Sequence, residues 1–458
     1  MSFESRFQHL DRRAPIAEDN VAIIHDLEKC KNCTLCRKAC ADTMSVLDYY
    51  DLEATGDNPI CIQCGQCAVI CPFGAMYERT ELDKVKEAIA DPEKIVVIQT
   101  APAVRVSIGE EFGFEPGTYQ EGKMVGALRA LGADYVVDTN FGADLTIMEE
   151  ANELLERKLR GTGPLPQFTS CCPAWVKFCE TFFPEYVSHI SSARSCIAME
   201  SAMVKTYFAK NMNIDPKKIV SVSVAPCTAK KAEIRRPEQN NASRYTGEDL
   251  GPDTDICITT REFAQWIREA ELDFAAVEDS AYDKFIGAAT GGGVIFGNTG
   301  GVMEAAMRAS YKFITGDEPS PAPLLNLTDV RGMDGVKEAT VEIGGHTINV
   351  AVCHGGKNIR EFLNELKESG KTYDFIEMMA CPGGCIGGGG QPRAKLPVAN
   401  KVKGERIDGL YNWDSNMKLR SSYENPEIKD AYANFLEKPL GHIAHELLHT
   451  TYVDRSGD

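Results

Sequence analysis

No run of apolar residues in this 458-residue chain approaches the roughly 20 that a membrane-spanning helix needs. Met1 to Asp19 carry charges where a secretory signal needs an apolar core, so the expectation is a cytoplasmic protein with no membrane partner. Positive charge is also short. Lys and Arg number 49 against 67 Asp and Glu, a net charge of −18, and a phosphate backbone would be repelled by most of such a surface, which argues against nucleic acid as a partner. Hydrophobic residues at 43% and charged ones at 25% describe a globular protein, and the length leads us to expect two or three domains.

Cysteine is not scarce. The chain has 17, and in a reducing compartment they do not read as a disulfide framework; most fall in tight clusters, which points to metal. Residues 30–40 read CKNCTLCRKAC and residues 61–72 read CIQCGQCAVICP. This is C-x2-C-x2-C-x3-C twice, the spacing of a bacterial two-cluster ferredoxin, in which the fourth cysteine of each run ligates the other cluster. Cys30, Cys33, Cys36 and Cys71 are therefore assigned to one 4Fe-4S centre, and Cys61, Cys64, Cys67 and Cys40 to its partner. Structural zinc prefers paired knuckles and fits this register poorly. Lys29, Lys31, Arg37 and Lys38 surround the first run, either offsetting its negative charge or steering an acidic electron carrier to it.

Three further loops carry thiols. TSCCPAW at 169–175 holds the adjacent Cys171 and Cys172, which cannot easily close a disulfide on each other; one would hold iron while the other moves a proton. Cys227 in APCTAKK, with Cys381 and Cys385 in MACPGGC, brings the total with Cys172 to the four that a cubane needs. Between these loops the texture alternates. Ile95 to Gln99, Tyr135 to Asp138 and Ile219 to Val224 read as buried parallel strands, and Glu81 to Asp91, Gly122 to Ala130 and Asp144 to Arg160 as helices. Strand–helix–strand order implies an α/β core whose sites form at the carboxyl ends of strands. The glycine-rich stretch 287–301 lacks the Gly-Lys-Ser/Thr ending of a phosphate loop and reads as backbone packed close to a cofactor or a helix. Residues 315–323 read as a surface loop. The tail from Tyr411 to Tyr452 reads as helical, with His442, His445 and His449 on one packed or solvated face.

Taken together, TSCCPAW, PCTAKKAE at 226–233 and EMMACPGGCIGGGGQP at 377–392 resemble the three signature loops of the FeFe hydrogenases. The segments QTAPAVRVSIGEEFG, TNFGADLTIMEEA, FGNTGGVMEAAMR and HELLHTTY also look like that family, so the resemblance covers nearly the whole chain from about residue 20. It implies an H-cluster: a 4Fe-4S cubane joined through one cysteine sulfur to a two-iron unit carrying CO, cyanide and a bridging amine dithiolate. By motif position the cubane ligands would be Cys172, Cys227, Cys381 and Cys385, with Cys385 the bridge. Lys230 would donate to a cyanide, Pro226 would support its loop, and Met379 would pack beside the diiron unit. Cys171 would pass protons to and from the bridging amine. The resemblance makes Glu150, Ser191, Glu153 and Arg157 the relay to solvent; without it, Glu150, Glu153 and Arg157 at i, i+3, i+7 would read as a helix ion-pair ladder.

What the resemblance implies is an oxidoreductase that reduces protons reversibly to H2. Electrons would come from a ferredoxin-type carrier, and maturation proteins would insert the diiron unit. The expected architecture is an α+β ferredoxin-like module over 1–82, then a two-lobed α/β catalytic domain over 83–400 (lobes about 90–215 and 216–390) with parallel twisted sheets flanked by helices, then a C-terminal helical wrap over 401–458. Two positions depart from the family. Ala225 stands where the prototype has methionine, and Cys196-Ile197-Ala198 where it usually has Pro-Gln-Gln, so a thioether and a polar contact near the diiron unit are replaced. Cys179, Cys257 and Cys353 read as buried small apolar residues, and Cys196 as a thiol near the cofactor. The competing classes are a hydrogen sensor, for which no signalling module is visible, and a non-catalytic iron-sulfur protein for electron relay or cluster assembly.

Overall fold

The structure is a computed structural model that describes residues 12–319 and 324–457. Residues 1–11 of the charged N-terminus and 320–323 of the expected surface loop lie outside the described residues. At the N-terminal end, β1 (Ile23–His25) and β2 (Met76–Glu78) pair antiparallel, with the short helices Leu35–Lys38 and Gln66–Ile70 between them in the chain.

Two four-stranded sheets follow. The first has the order β4-β3-β6-β7 and is parallel throughout: β3 (Ile95–Thr100), β4 (Tyr135–Asp138), β6 (Ile219–Ala225) and β7 (Ile256–Thr259). Its β-branched runs are buried along nearly their whole length, as strands covered by helices on both faces must be. The second has the order β5-β10-β9-β8, from β5 (Gln167–Phe168), β8 (Val336–Ile343), β9 (His346–His354) and β10 (Phe375–Met379). Here the expectation of parallel sheets needs a correction, because β8 runs antiparallel to β9. Gly344 and Gly345, both at positive φ (56° and 84°), close the two-residue turn that joins these strands, a conformation that side chains resist.

The helix Thr139–Arg160 starts five residues earlier than its periodicity suggested. Asp138 caps it, accepting from the backbone N–H of Asn140 at 2.9 Å, and a cap ahead of the apolar pattern extends a helix beyond it. Gly142 on this helix lets the helix Cys196–Met203 come close: a Cβ there would lie 2.3 Å from the Cys196 carbonyl. The glycine stretch 287–301 serves the same purpose, packing on neighbouring protein; Cβ atoms on Gly291 and Gly293 would meet Asp414 and Asn140.

The tail is helical in pieces, Ala399–Asn416, Pro426–Ala431 and His442–Leu448. Arg308, fully buried, ties it to the core through Asp414 at 2.9 Å and through Glu304 at 2.5 Å. The last helix ends before His449, so the three histidines share no helical face. His442 and His445 are exposed, whereas His449 is buried and meets Glu149 at 3.0 Å and Ser192 at 2.8 Å. Among the described residues no helix is long and apolar enough to cross a membrane.

Candidate functional site

Four strands aim their carboxyl ends at one place. β3 runs into Ala101-Pro102-Ala103 and β6 into Pro226-Cys227 from the first sheet; β5 runs into Thr169–Cys172 and β10 into Ala380-Cys381 from the second. Between them lies a cavity of ≈ 50 Å³, several times the roughly 10–15 Å³ that a water needs on the same measure. Six thiols line it, those of Cys171, Cys172, Cys196, Cys227, Cys381 and Cys385, and so do Ala225, Pro226, Lys230 and Met379. All 17 cysteines are free. Among the described residues no three side chains converge as the ligands of a single ion do; the thiols stand around a space.

Burial pushes these thiols up, Cys227 to about 12 and Cys381 and Cys385 well above the ordinary value, with the neighbouring thiols adding to the effect. Thiols in that state become thiolate ligands where a metal supplies the compensating charge. Among the described residues Lys230 is the one charged side chain lining the cavity. Its ammonium lies 2.7 Å from Glu233 and 3.3 Å from the Cys171 carbonyl, and the Glu233 carboxylate helps hold its pKa up against burial. Soft donors, a cation and an apolar wall fit an anionic iron-sulfur group.

Behind Cys171 the expected relay residues are placed unevenly. Glu150 is fully buried with neither carboxyl oxygen hydrogen-bonded among the described residues. Burial, then the charge of Glu153, raises its pKa to about 8, so it holds a proton at neutral pH. Burial keeps the Cys171 thiol protonated, and Glu150, when ionised, raises its pKa further. Ser191, Glu153 and Arg157 are joined directly: Ser191 Oγ donates to Glu153 at 2.7 Å and Arg157 Nη2 to the other oxygen at 2.6 Å. Arg157 also donates to the carbonyls of Pro164, His189 and Ile190, which fixes its plane.

The N-terminal thiols fall into two groups. Cys30, Cys33, Cys36 and Cys71 line one small cavity. Burial and neighbouring thiols raise the pKa of Cys40, Cys64 and Cys67: Cys61 acts on Cys40, Cys61 and Cys40 on Cys67, and Cys67, Cys40 and Cys61 on Cys64, with Cys36 of the first group also reaching Cys40 and Cys67. Cys64 in turn acts on Cys381 of the central cavity. Of the cations around the first run, Lys29 pairs with Asp26 at 3.1 Å and Arg37 with Asp48 at 2.7 Å.

Cys179, Cys257 and Cys353 are buried in hydrophobic clusters and do not themselves line the cavity. Sequence reasoning missed Ala101, Pro102, Ala103 and Phe296, which line the cavity; apolar residues carry no chemical signal of their place.

Comparison with known proteins bears on this geometry. The iron only hydrogenase large subunit, C-terminal domain, matches residues 94–389, and the iron hydrogenase small subunit matches residues 400–455. The chain is 44% identical over 453 residues to NADP-reducing hydrogenase subunit HndD of Solidesulfovibrio fructosivorans, covering 95% of this chain and 75% of that one. A variant of the FeFe-hydrogenase HydA1 from Chlamydomonas reinhardtii superposes with a TM-score of 0.72 at 38% identity, over 83% of this chain and all of that one. At 29% identity over 422 residues, 87% of this chain and 84% of the relative, it is also similar to cytosolic iron-sulfur assembly component 3 of Bos taurus.

Proposed function

Because the chain belongs to the iron-only hydrogenase family, whose cofactors are the H-cluster and 4Fe-4S clusters, we propose that it catalyses the reversible reduction of protons to H2 at the central cavity, in the cytoplasm. The observation that carries this reading is the cavity itself, with six thiols and one buried lysine at the carboxyl ends of four strands and a proton-holding carboxyl behind the free thiol.

When bound, the H-cluster supplies the low-potential iron at which protons and electrons combine. Cys172, Cys227, Cys381 and Cys385 would hold its cubane, with Cys385 shared with the diiron unit. The Lys230 ammonium would compensate anionic ligands and Met379 would pack against them, while the Pro226 carbonyl, which accepts from Gly390 at 2.8 Å, anchors the loop of Cys385 to that of Cys227. The apolar walls exclude water, so each charge inside acts strongly. Cys171 exchanges its thiol proton with the reacting centre and with Glu150. A carboxyl with a pKa of about 8 can do either at neutral pH. Ser191, Glu153 and Arg157 continue the route outward. The N-terminal thiols would hold two 4Fe-4S clusters in a ferredoxin-like module, which would supply electrons from a ferredoxin-type carrier. The relative named as a subunit of an NADP-reducing hydrogenase makes an attached subunit the competing partner.

The likeness to the iron-sulfur assembly component favours a second reading, a non-catalytic iron-sulfur protein. Four cubane thiols would suffice for it, and it leaves Lys230 and Cys171 without a task. Infrared spectroscopy of the anaerobic, matured protein in the CO and cyanide stretching region, with H2 production from reduced methyl viologen on the same sample, decides between them. Bands with turnover establish the hydrogenase. Iron-sulfur signals with neither, after a synthetic diiron unit has been supplied, establish the second reading.

A further inference from the structure

A second buried acid stands one helical turn from the cavity. Cys196 opens the helix Cys196–Met203 and lines the cavity; Glu200 follows at i+4, on the same face. Glu200 is fully buried, and neither carboxyl oxygen makes a well-formed hydrogen bond among the described residues; the Gly142 backbone N–H acts on it weakly as a donor. That face is pressed on the helix Thr139–Arg160, where a Cβ on Gly142 would sit 3.1 Å from the Glu200 Cβ. The charges that act on Glu200 are Asp138 and Glu427, both acidic. An unpaired carboxylate is not sustained in such a place, so the group is a neutral acid. Lys230, Glu233 and Glu200 act on Cys196, and burial raises its pKa to about 11, so it too is protonated. A glutamic acid that makes no well-formed hydrogen bond in an apolar helix opposes folding, and its presence there calls for another use.

We propose that Cys196 and Glu200 are a second proton-exchanging pair for the cavity, built on the plan of Cys171 and Glu150: a cavity thiol backed by a buried carboxylic acid. Cys196 gives its Sγ proton to a base in the cavity and takes one from the Glu200 carboxyl; no electron moves and no proton is lost. Of the two carboxylates acting on Glu200, Asp138 is buried and tied to Arg105 at 2.8 Å. Glu427 is half-buried, and its carboxylate accepts from the backbone N–H groups of Phe285, Gly287 and Ala288, so the Glu200 proton is restored by the reverse exchange through Cys196. Glu200 acts through Cys196 and is in that sense a positioning residue for the proton. The proposal rests on the hydrogenase reading, and it makes Cys196 a working substitute for the family's proline.

The test uses the full chain with its iron-sulfur clusters, with and without the diiron unit. In infrared spectra, Glu200→Gln should remove one carboxylic-acid C=O band, and Cys196→Ala should shift it. In the loaded enzyme, adding Glu200→Gln to Glu150→Gln should lower the residual H2 turnover by about 10²-fold. If no acid band is lost, Glu200 is ionised and the proposal fails. If the band is lost, yet Cys196→Ala leaves it in place and the double variant turns over like Glu150→Gln, Glu200 is structural and the proposal again fails. The band is read without the diiron unit, so its absence tells against Glu200 alone. Missing CO and cyanide bands in the loaded protein tell against the hydrogenase reading.

Discussion

The hydroxyl of Thr228 donates to the main-chain carbonyl of Gln63 at 2.6 Å, joining the loop that follows β6 to the second cysteine run. Two neighbours complete the contact. Gln66 Nε2 donates to the Gly387 carbonyl at 2.9 Å, and Gly65, at φ 71°, leaves so little room that a Cβ would lie 2.4 Å from Thr228 Oγ1 and 2.8 Å from the Gly389 Cα. The spacing between the N-terminal thiols and the cavity thiols is therefore set by packing.

Gly65→Ala should separate electron delivery from chemistry. The added methyl forces the loops apart, and the positive φ adds strain of about 1–2 kcal/mol. H2 production driven through the N-terminal clusters should fall by about 10- to 100-fold. Exchange of H2 with D2O, which needs no external electrons, should persist with the CO and cyanide bands. Equal loss of both activities would show that the contact supports the cavity itself.

The acid form of Glu150 gives a pH prediction with a definite sign. Its pKa rises from 4.5 unfolded to about 8 folded. The folded state then binds more protons between those values, and stability declines as pH rises from about 4.5 to about 8, by ~5 kcal/mol in all. Glu150→Gln should abolish that decline. In turnover, H2 production should fall as pH passes about 8 and the acid is lost, and the Gln variant should be slower by about 10²- to 10⁴-fold with no such step. A pH profile unchanged by the substitution would remove Glu150 from the proton route.

How far the chain could be read without its structure depended on chemistry at each position. The strands over Ile95–Thr100, Tyr135–Asp138 and Ile219–Ala225 were legible because β-branched runs buried on two faces carry a continuous signal. β5 was not, because two residues held by pairing with β10 have no pattern of their own. Thiol loops announced the cavity lining, since clustered cysteines at loop positions read as metal ligands. Phe296 and Ala101 to Ala103 lie against the same space but are ordinary core residues in composition. The row from Cys171 to Arg157 was legible as positions only. That Ser191, Glu153 and Arg157 are bonded while Glu150 stands unbonded is a matter of tertiary packing.

Lys230 should matter to the cofactor more than to the rate. Lys230→Ala leaves Glu233 buried beside Ser195, 3.1 Å away, without its cation, and breaking a buried pair costs about 3–5 kcal/mol. The double variant Lys230→Met/Glu233→Gln removes both charges and should recover most of that stability. It should still fail to retain the diiron unit, giving iron-sulfur signals with weak or absent cyanide bands. A double variant that loads fully would show that the lysine serves the fold alone.

The two departures from the family meet in one place. Ala225, Ile197 and Cys257 form a single buried cluster with Cys196 packed against it, so the missing methionine and the missing Pro-Gln are neighbours in space. Ala225→Met alone pushes three heavy atoms into a filled cluster and should destabilise by about 1–3 kcal/mol. Cys196 is the first residue of its helix, and Ser195 caps it by accepting from the Ala198 N–H at 3.3 Å. A proline is tolerated there, because the first helical N–H has no partner to lose. Cys196→Pro should therefore fold, and combining it with Ala225→Met should give a coupling of about 0.5–3 kcal/mol in a double-mutant cycle read from thermal unfolding. Strict additivity would mean that the two positions changed independently. Coupling would mean that the alanine and the thiol are one adaptation of the wall beside the diiron unit.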